Sequence, residues 1–407
     1  MKILVVHNEY GKFSGEEAVV AAHRTLLRKY GHDVVYFGKT SAGLQDSLSG
    51  RIAALFSGIY NPWSRREIGA LLRKQEPDIV HIHNVFPWIS PSILPVCRRA
   101  GLPVVMTVHN YRLVCPNGLH MPKGRYYVCE KCCGGKEYWC VLKNCEHNLA
   151  KSLGYALRTY TARRLGFFKE NVTLFACLTE FQRKRLIAEG YPADRLRMIP
   201  NTYPTEVGIG MDPPDGGGYV AYVGRISPEK GIELLLSTAR KLPNIPLQLA
   251  GSYDAMPDFL DEVPANVSFL GNLDRKRLAD FYRRSRFLVL PSRCFEGFPM
   301  TVVEAMVQGK AVIASRIGGI PEIVDDGETG LLFKPGDGQE LAEKIRYLWD
   351  RPDLCRRMGR AGREKALREY SPEKYYDRLM CVYEEAMELA GRKAESRVCL
   401  AYCRTHG

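Results

Sequence analysis

The feature that most constrains this chain is a rhythm. Short apolar runs, each followed by a stretch with helical spacing, recur, stop once and start again. In the first half the runs are Lys2–Val6, Asp33–Phe37, Asp78–Ile82, Pro103–Val108 and Thr173–Leu178, with the helical stretch Glu16–Tyr30 between the first two. Strands buried on both faces read as unbroken β-branched runs, and their alternation with helices predicts βαβ units and a parallel sheet. A Pro- and Gly-rich break at Tyr203–Gly218, which contains Asp212-Pro-Pro-Asp-Gly-Gly-Gly, reads as a linker. The rhythm then resumes at Tyr219–Val223, Pro246–Ala250, Val267–Leu270, Phe287–Leu290, Ala311–Ala314 and Gly330–Phe333. At 407 residues the chain exceeds what one hydrophobic core supports. The expected fold is therefore α/β, with doubly wound domains at 1–203 and 218–370 joined by a linker at 204–217. Ser371-Pro-Glu opens a long amphipathic helix over 371–390, with Ser as cap and Pro at the first helical position. The polar, basic tail 391–407 carries no fold signal and is expected to be flexible.

Composition matters here mainly through charge. Apolar residues at 45% and charged residues at 25% are the balance of a soluble globular protein. No stretch is apolar enough to span a bilayer and the N-terminus lacks a signal-peptide pattern, so a cytoplasmic protein is expected. Residues 1–203 carry 29 Lys/Arg against 15 Asp/Glu, whereas 204–407 carry 29 against 30, so the net charge of +13 lies in the first half. A one-sided basic field attracts polyanions or an anionic membrane surface.

The densest chemical motif is Glu296-Gly-Phe-Pro-Met-Thr-Val-Val-Glu304, which follows an apolar run and opens a helix near Pro299. The amides of Met300 and Thr301, with the positive end of the helix dipole, make a phosphate-sized anion site. Glu296 before the helix and Glu304 one turn inside it can accept hydrogen bonds from several hydroxyls, as a sugar requires. A second motif, Gly224-Arg225-Ile-Ser-Pro-Glu-Lys230-Gly231, ends another strand. Its glycine lets the backbone approach a ligand, and Arg225 with Lys230 supplies about two positive charges for a diphosphate. No Gly-x-Gly-x-x-Gly follows a strand, so a nicotinamide cofactor lacks support. No Asp-x-Asp occurs either, so cations and a helix start are expected to stabilise the leaving diphosphate in place of a divalent ion.

With these motifs, and with Thr107-Val-His-Asn110, the sequence resembles the retaining GT-B glycosyltransferases of the family 4 group over nearly its whole length. The resemblance implies two Rossmann-like domains facing a cleft, the nucleotide on the second, and a C-terminal helix returning to the first. It also implies roles for particular residues. Arg225 and Lys230 hold the diphosphate and Glu304 accepts from the ribose hydroxyls. Glu296, with the amides of Gly297 and Phe298, orients the transferred sugar, and His109 lies beside that sugar. Gly15 of Ser14-Gly15-Glu16-Glu17 stands in the loop of the first domain near the phosphates. Serine occupies the place of the usual first glycine there. Gly224 turns beside the diphosphate, and Gly251 and Gly271 stand in loops around the nucleoside. The implied donor is a nucleotide-diphosphate sugar and the implied acceptor a glycan or lipid-linked intermediate of cell-surface polysaccharide or glycolipid synthesis. No cofactor is required for catalysis. The acceptor half is the basic half, which places Arg163-Arg164 and Arg183-Lys184-Arg185 as contacts to an anionic membrane in a peripheral protein.

Two features lie outside that scheme. His81 and His83 alternate on one strand face without an evident third metal ligand; His83 and Asn84 are expected toward the acceptor, with His81 satisfied in the interior. Of thirteen cysteines, six fall between Cys115 and Cys145. Cytosolic thiols stay reduced, so Cys115, Cys129, Cys132 and Cys145 read either as a structural zinc knuckle stapling an insertion at 110–147 or as free thiols in a compact loop. Cys133 and Cys140 are spare in that reading. Competing functions are a GT-B epimerase or phosphorylase and a basic nucleic-acid-binding module. The first lacks the matching Arg/Lys spacing or a pyridoxal lysine, and the second lacks interleaved aromatics.

Overall fold

A computed structural model describes residues 1–10, 15–41, 56–203, 217–253, 256 and 263–392. Ser14, nearly all of the expected linker and all of the tail beyond 392 lie outside the described residues. The chain divides into two units: Met1–Pro122, Cys129–Pro200 and Tyr375–Gly407 in the first, Lys123–Val128 and Asn201–Lys374 in the second.

Unit 1 is built on a six-stranded sheet in the order β2-β1-β3-β4-β5-β6. Its strands are β1 (Lys2–Glu9), β2 (Asp33–Thr40), β3 (Ile79–Asn84), β4 (Val104–Val108), β5 (Leu174–Cys177) and β6 (Leu196–Met198), all parallel. Interior strands β3 and β4 are buried throughout, while every position of the edge strand β2 is partly buried or exposed. That contrast is why the β3 run is continuously apolar or imidazole-bearing and β2 tolerates Lys39. The short edge strand β6 left no clear apolar run in the sequence.

The helix Pro372–Leu389 starts as expected: the Ser371 hydroxyl accepts from the Lys374 amide at 3.2 Å. From Tyr375 onward it belongs to unit 1, where Leu379, Val382, Tyr383 and Ala386 pack in one core with Ile3, Val5, Leu27 and Ile79. Cys381 on this helix is disulfide-bonded, so the expectation of wholly reduced thiols, drawn from compartment alone, fails there. The other ten described cysteines are free.

Unit 2 carries a second parallel sheet in the order β12-β11-β10-β7-β8-β9. These strands are β7 (Val220–Val223), β8 (Leu247–Ala250), β9 (Val267–Phe269), β10 (Phe287–Leu290), β11 (Ala311–Ser315) and β12 (Gly330–Phe333). The chain winds outward from β7 through β8 to β9, returns to β10 beside β7, and winds the other way. The strand order therefore reverses between β7 and β10, and crevices at such reversals, beyond the carboxyl ends of the strands, are where open α/β sheets bind ligands. Both motifs singled out in the second half follow these two strands.

Candidate functional site

The loops after β7 and β10 are held together by backbone contacts that only glycine permits. Gly231 has φ +76°, and a Cβ there would stand 2.0 Å from the Pro291 carbonyl oxygen. Gly251 has φ +147°, and its Cβ would fall 1.9 Å from the Gly224 oxygen. Gly224 donates to Ala250 at 3.0 Å, and the Gly251 amide donates to Gly271 at 2.9 Å. The expected glycines are thus tied together at the ends of β7 and β8, where side chains would push the strands apart.

On this frame the Lys230 ammonium meets Glu296 Oε1 at 2.6 Å, and the Ser292 hydroxyl donates to the same oxygen at 2.5 Å. Burial pushes the Glu296 carboxyl up, but Lys230, Ser292 and Arg225 outweigh it and hold the group ionised below the usual range. Arg225 is largely exposed and pairs with Glu229 at 3.1 Å, while its carbonyl accepts from Tyr222 Oη at 2.7 Å. The sequence reading treated Arg225 and Lys230 as two uncompensated charges. Instead each is matched by a carboxylate, because the turn Ser227–Gly231 returns Glu229 to Arg225 and the β10 loop brings Glu296 to Lys230.

The helix Met300–Val307 opens with Pro299 at the cap rather than at the first helical position, and no side chain caps it. Val302 donates back to Pro299 at 3.1 Å, and the Met300 and Thr301 amides lie in the first turn. Phe298 is buried edge-on against Tyr370. Gly297 lies beside Glu296, whose carbonyl accepts from Gly319 at 2.8 Å. One turn inside the helix, Glu304 accepts from Tyr282 Oη at 2.9 Å. Burial raises the Glu304 carboxyl, with Tyr282 and Arg275 offsetting part of the effect. Ser292, Glu229 and Tyr282 were missed by sequence reasoning. Tyr282 lies on the helix Arg275–Arg284 and carries no local signal, since only folding brings it to Glu304.

In unit 1, His109 directly follows β4, whereas His7 and His83 lie inside β1 and β3. His83 Nδ1 and His109 Nε2 are 2.8 Å apart. The rings of His81, His83 and His109 stack in sequence, with centroids 4.5 Å and 5.1 Å apart, and His23 packs edge-on against His81 and His83. His81 is satisfied at both nitrogens, by Tyr383 Oη at 2.6 Å and Thr107 Oγ1 at 2.7 Å, so it is the interior histidine expected. The expectation that His83 and Asn84 face an acceptor does not hold. Both are buried, and Asn84 instead donates to the Asn8 carbonyl and accepts from the Phe86 amide. His23 supplies the third imidazole that the sequence did not reveal, and nitrogens of His23, His81 and His83 lie within 4.8 Å of one another. Both His81 nitrogens are engaged by hydroxyls, which favours a hydrogen-bonded stack over a metal centre.

Desolvation lowers every member of this group: His7 to about 4, His23 and His109 to about 3, and His81 and His83 well below the ordinary value. The five imidazoles are neutral at neutral pH. Gly15 opens the helix Gly15–Lys29 and is exposed. The neighbouring Glu16 is raised to about 7 by burial, despite Arg112 and a 2.9 Å hydrogen bond from Tyr10.

In the insertion, Cys132, Cys140 and Cys145 pack in one buried cluster with Ala156. Cys115 is equally buried, and its sulfur lies near backbone amides of Asn117, Gly118 and His120. The Cys140 thiol donates to Cys145, which pulls Cys145 down and pushes Cys140 up. Cys129 is only partly buried. The fold thus brings in Cys140, taken as spare from spacing alone, and leaves Cys129 nearer the rim. Among the expected membrane contacts, Arg163 pairs with Glu137, Arg183 with Glu180 and Arg185 with Glu130, so those three are not isolated charges.

Comparison with known proteins agrees with this architecture. The family model described as Glycosyltransferase Family 4 matches residues 13–207, and the model Glycosyl transferases group 1 matches residues 212–365. An uncharacterized glycosyltransferase of Methanocaldococcus jannaschii is 28% identical over 339 residues, covering 81% of this chain and 82% of that protein. A sucrose-phosphate synthase from Thermosynechococcus elongatus superposes with a TM-score of 0.69 at 19% identity, covering 95% of this chain and 99% of the other. The HepE protein of Anabaena, solved with UDP-glucose, gives 0.64 at 18% identity over 96% and 99%. At such identities the two structures establish likeness of fold.

Proposed function

The chain belongs to the family 4 group of GT-B glycosyltransferases, and we propose that it moves a sugar, with retention of configuration, from a nucleoside-diphosphate sugar to a glycan or lipid-linked acceptor in cell-surface polysaccharide or glycolipid synthesis. The observation that carries the donor side is the Lys230–Glu296 pair at the strand-order reversal of unit 2, beside an uncapped helix start. A diphosphate arriving there takes over Lys230 and Arg225 from their carboxylate partners and receives the amides of Met300 and Thr301. Glu296, released from Lys230, accepts from hydroxyls of the transferred sugar together with the Gly297 and Phe298 amides. Glu304, held by Tyr282, accepts from the ribose.

As the bond from the sugar to the diphosphate lengthens, negative charge grows on the leaving group, and the two cations and the helix start stabilise it in place of a divalent ion. His109, neutral by desolvation, serves as a hydrogen-bond partner beside the reacting sugar rather than as an acid. The acceptor attacks on the face the diphosphate leaves, and a leaving phosphate oxygen takes its proton. A UDP-sugar donor is supported by the UDP-glucose bound to the structurally similar Anabaena protein.

We also infer a structural zinc ion in the insertion. It rests on the burial of four thiols in one small region; the groups of metal-binding size among the described residues are His23–His81–His83 and His120–Glu130–Cys133, so an ion held by these thiols requires them to draw closer. The set supported by burial is Cys115, Cys132, Cys140 and Cys145.

A panel of nucleoside diphosphates and nucleotide sugars in thermal-shift assays tests the donor reading. The correct donor at a hundredfold excess over Kd stabilises by roughly 2.7 kcal/mol. Glu304→Ala should weaken every ribose-bearing nucleotide about tenfold or more, the worth of a charged hydrogen bond, whereas Glu296→Ala should chiefly lower turnover. Wild-type transfer by both variants, or activity that returns after chelation only with a divalent ion, would sink the reading.

A further inference from the structure

The reversal of strand order described for unit 2 occurs in unit 1 as well. The chain runs from β1 outward to β2, returns to β3 on the other side of β1, and continues outward through β4, β5 and β6. The space beyond the carboxyl ends of β1 and β3 is therefore a second place where an open α/β sheet binds a ligand. Tyr10 directly follows β1, Phe86 lies just past β3, and Arg112 stands in the loop after β4. Arg158, on the helix Leu149–Arg164, joins them. Its guanidinium lies 4.1 Å from the centre of the Phe86 ring and 4.4 Å from that of Tyr155.

Two guanidiniums meet there without a counter-ion. Arg158 is 6% exposed. Its Nη2 donates to the Pro116 carbonyl at 2.9 Å, and its Nε is buried without a hydrogen-bond partner among the described residues. Arg112 is partly buried and donates from Nη1 to Tyr10 Oη at 3.2 Å. Among the described residues neither guanidinium pairs with a carboxylate, whereas Arg163, Arg183, Arg185 and Arg197 of the same unit each do. Burial and the charge of Arg112 lower Arg158 to about 10. Glu16 reaches Arg112 only through the Tyr10 hydroxyl, and with its carboxyl raised to about 7 it does not balance two cations. Uncompensated charge is costly to keep in a protein interior, and a bound anion removes that cost.

We propose that Arg112 and Arg158 form a subsite for the phosphate of a phosphate-bearing acceptor, at the strand-order reversal of unit 1. Their planar forks of donors match phosphate oxygens, and the Phe86 and Tyr155 rings hold the face of Arg158 so that its edge stays available. A phosphate monoester carries nearly two negative charges at neutral pH and so answers both cations, whereas a carboxylate answers one. The inference rests on the transferase reading for the acceptor's role and narrows that acceptor to a soluble sugar phosphate or a lipid phosphate. Its test follows binding alone, so a protein that takes up the phosphate and transfers no sugar loses only the transferase reading.

In the full, nitrogen-labelled chain, the Nε–H resonance of Arg158 is assigned by its loss in Arg158→Gln. It is then followed while glycerol phosphate, geranyl phosphate or glucuronate is added. Both phosphate esters should shift it. Tighter binding of geranyl phosphate assigns the subsite to a lipid carrier and equal binding to a soluble sugar phosphate; either supports the proposal. Arg112→Gln should weaken binding at least about tenfold, the worth of a charged hydrogen bond. Arg112→Lys keeps the charge and loses the fork, so it should bind with intermediate affinity, and it decides the matter if Arg112→Gln does not fold. Arg66→Gln, at an exposed cation of the same unit, should leave binding unchanged. Thermal melts report the folding of each variant. A resonance that the phosphate esters do not move, one that glucuronate moves at equal or lower concentration, or wild-type affinity in the Arg112 variants overturns the proposal.

Discussion

Lys230 and Glu296 neutralise each other at 2.6 Å in a buried corner, where an unmatched charge would be costly to keep. The corner can thus stay folded with no anion bound. The His83–His109 hydrogen bond raises a similar question of which group holds which. Among the described residues His83 Nε2 is buried without a hydrogen-bond partner. An orphaned N–H is the rarer state in a protein interior, so the His83 proton sits on Nδ1 and is donated to His109 Nε2. His109 then carries its own proton on Nδ1. If His109 works beside the sugar as proposed, His83→Leu should lower turnover at least about tenfold, the usual cost of losing the partner that orients a working imidazole. Nucleotide affinity should change little. His83→Asn, whose amide places a donor where Nδ1 stands, should recover part of the loss. Steady-state kinetics with imidazole nitrogen NMR separate this from simple misfolding, and equal activity in all three proteins would refute it.

At the scale of elements, the Cys-rich insertion contrasts with the helix Pro372–Leu389. The helix is secured by Leu379, Val382, Tyr383 and Ala386 in the core of unit 1 and by hydroxyl–imidazole bonds from Tyr375 and Tyr383 to His23 and His81. The insertion has a small buried cluster made largely of thiols. Its turns place His120, Asn144 and His147 at positive φ, which is locally unfavourable and needs support from outside the turn. If zinc supplies that support, metal analysis of reduced protein should find about one ion per chain. A thiol-reactive reagent should release it, with a local loss of amide protection in 110–147. Cys140→Ser should lose the metal more completely than Cys129→Ser. Metal-free protein of full stability would end the zinc reading.

Across the whole molecule, histidine is segregated. Of nine histidines none falls between 201 and 374, and His7, His23, His81, His83 and His109 cluster in unit 1. Their folded pKa values lie below the unfolded value of 6.5, so the unfolded chain binds more protons once pH falls below it. The stabilisation is complete above about pH 6.5 and is lost toward pH 4 and below, at up to about 1.4 kcal/mol per pH unit for each histidine that stays neutral. Glu16 acts in the opposite sense: with a folded value of about 7, its contribution is present below pH 4.5 and is lost as pH rises through 7. Burial lowers His32 and His120 of unit 1 as well, and one carboxyl against seven imidazoles leaves unit 1 acid-labile. Calorimetry at pH 7.5 and 5.5 should show one transition, assigned to unit 1, falling well ahead of the other. Two transitions that move together would contradict this.

The α/β class, the two sheets and every strand run but that of β6 were legible in the sequence alone, as were the glycine- and glutamate-bearing motifs at 224–231 and 296–304 that follow two of those strands, because strand burial and strand-ending turns leave local patterns in residue type and spacing. The pairing of Lys230 with Glu296, the support of Glu304 by Tyr282, the third imidazole from His23 and the entry of Cys140 among the thiols were decided by tertiary structure. Each joins residues on different elements, and their proximity depends on strand order and loop packing, which no short window of sequence contains.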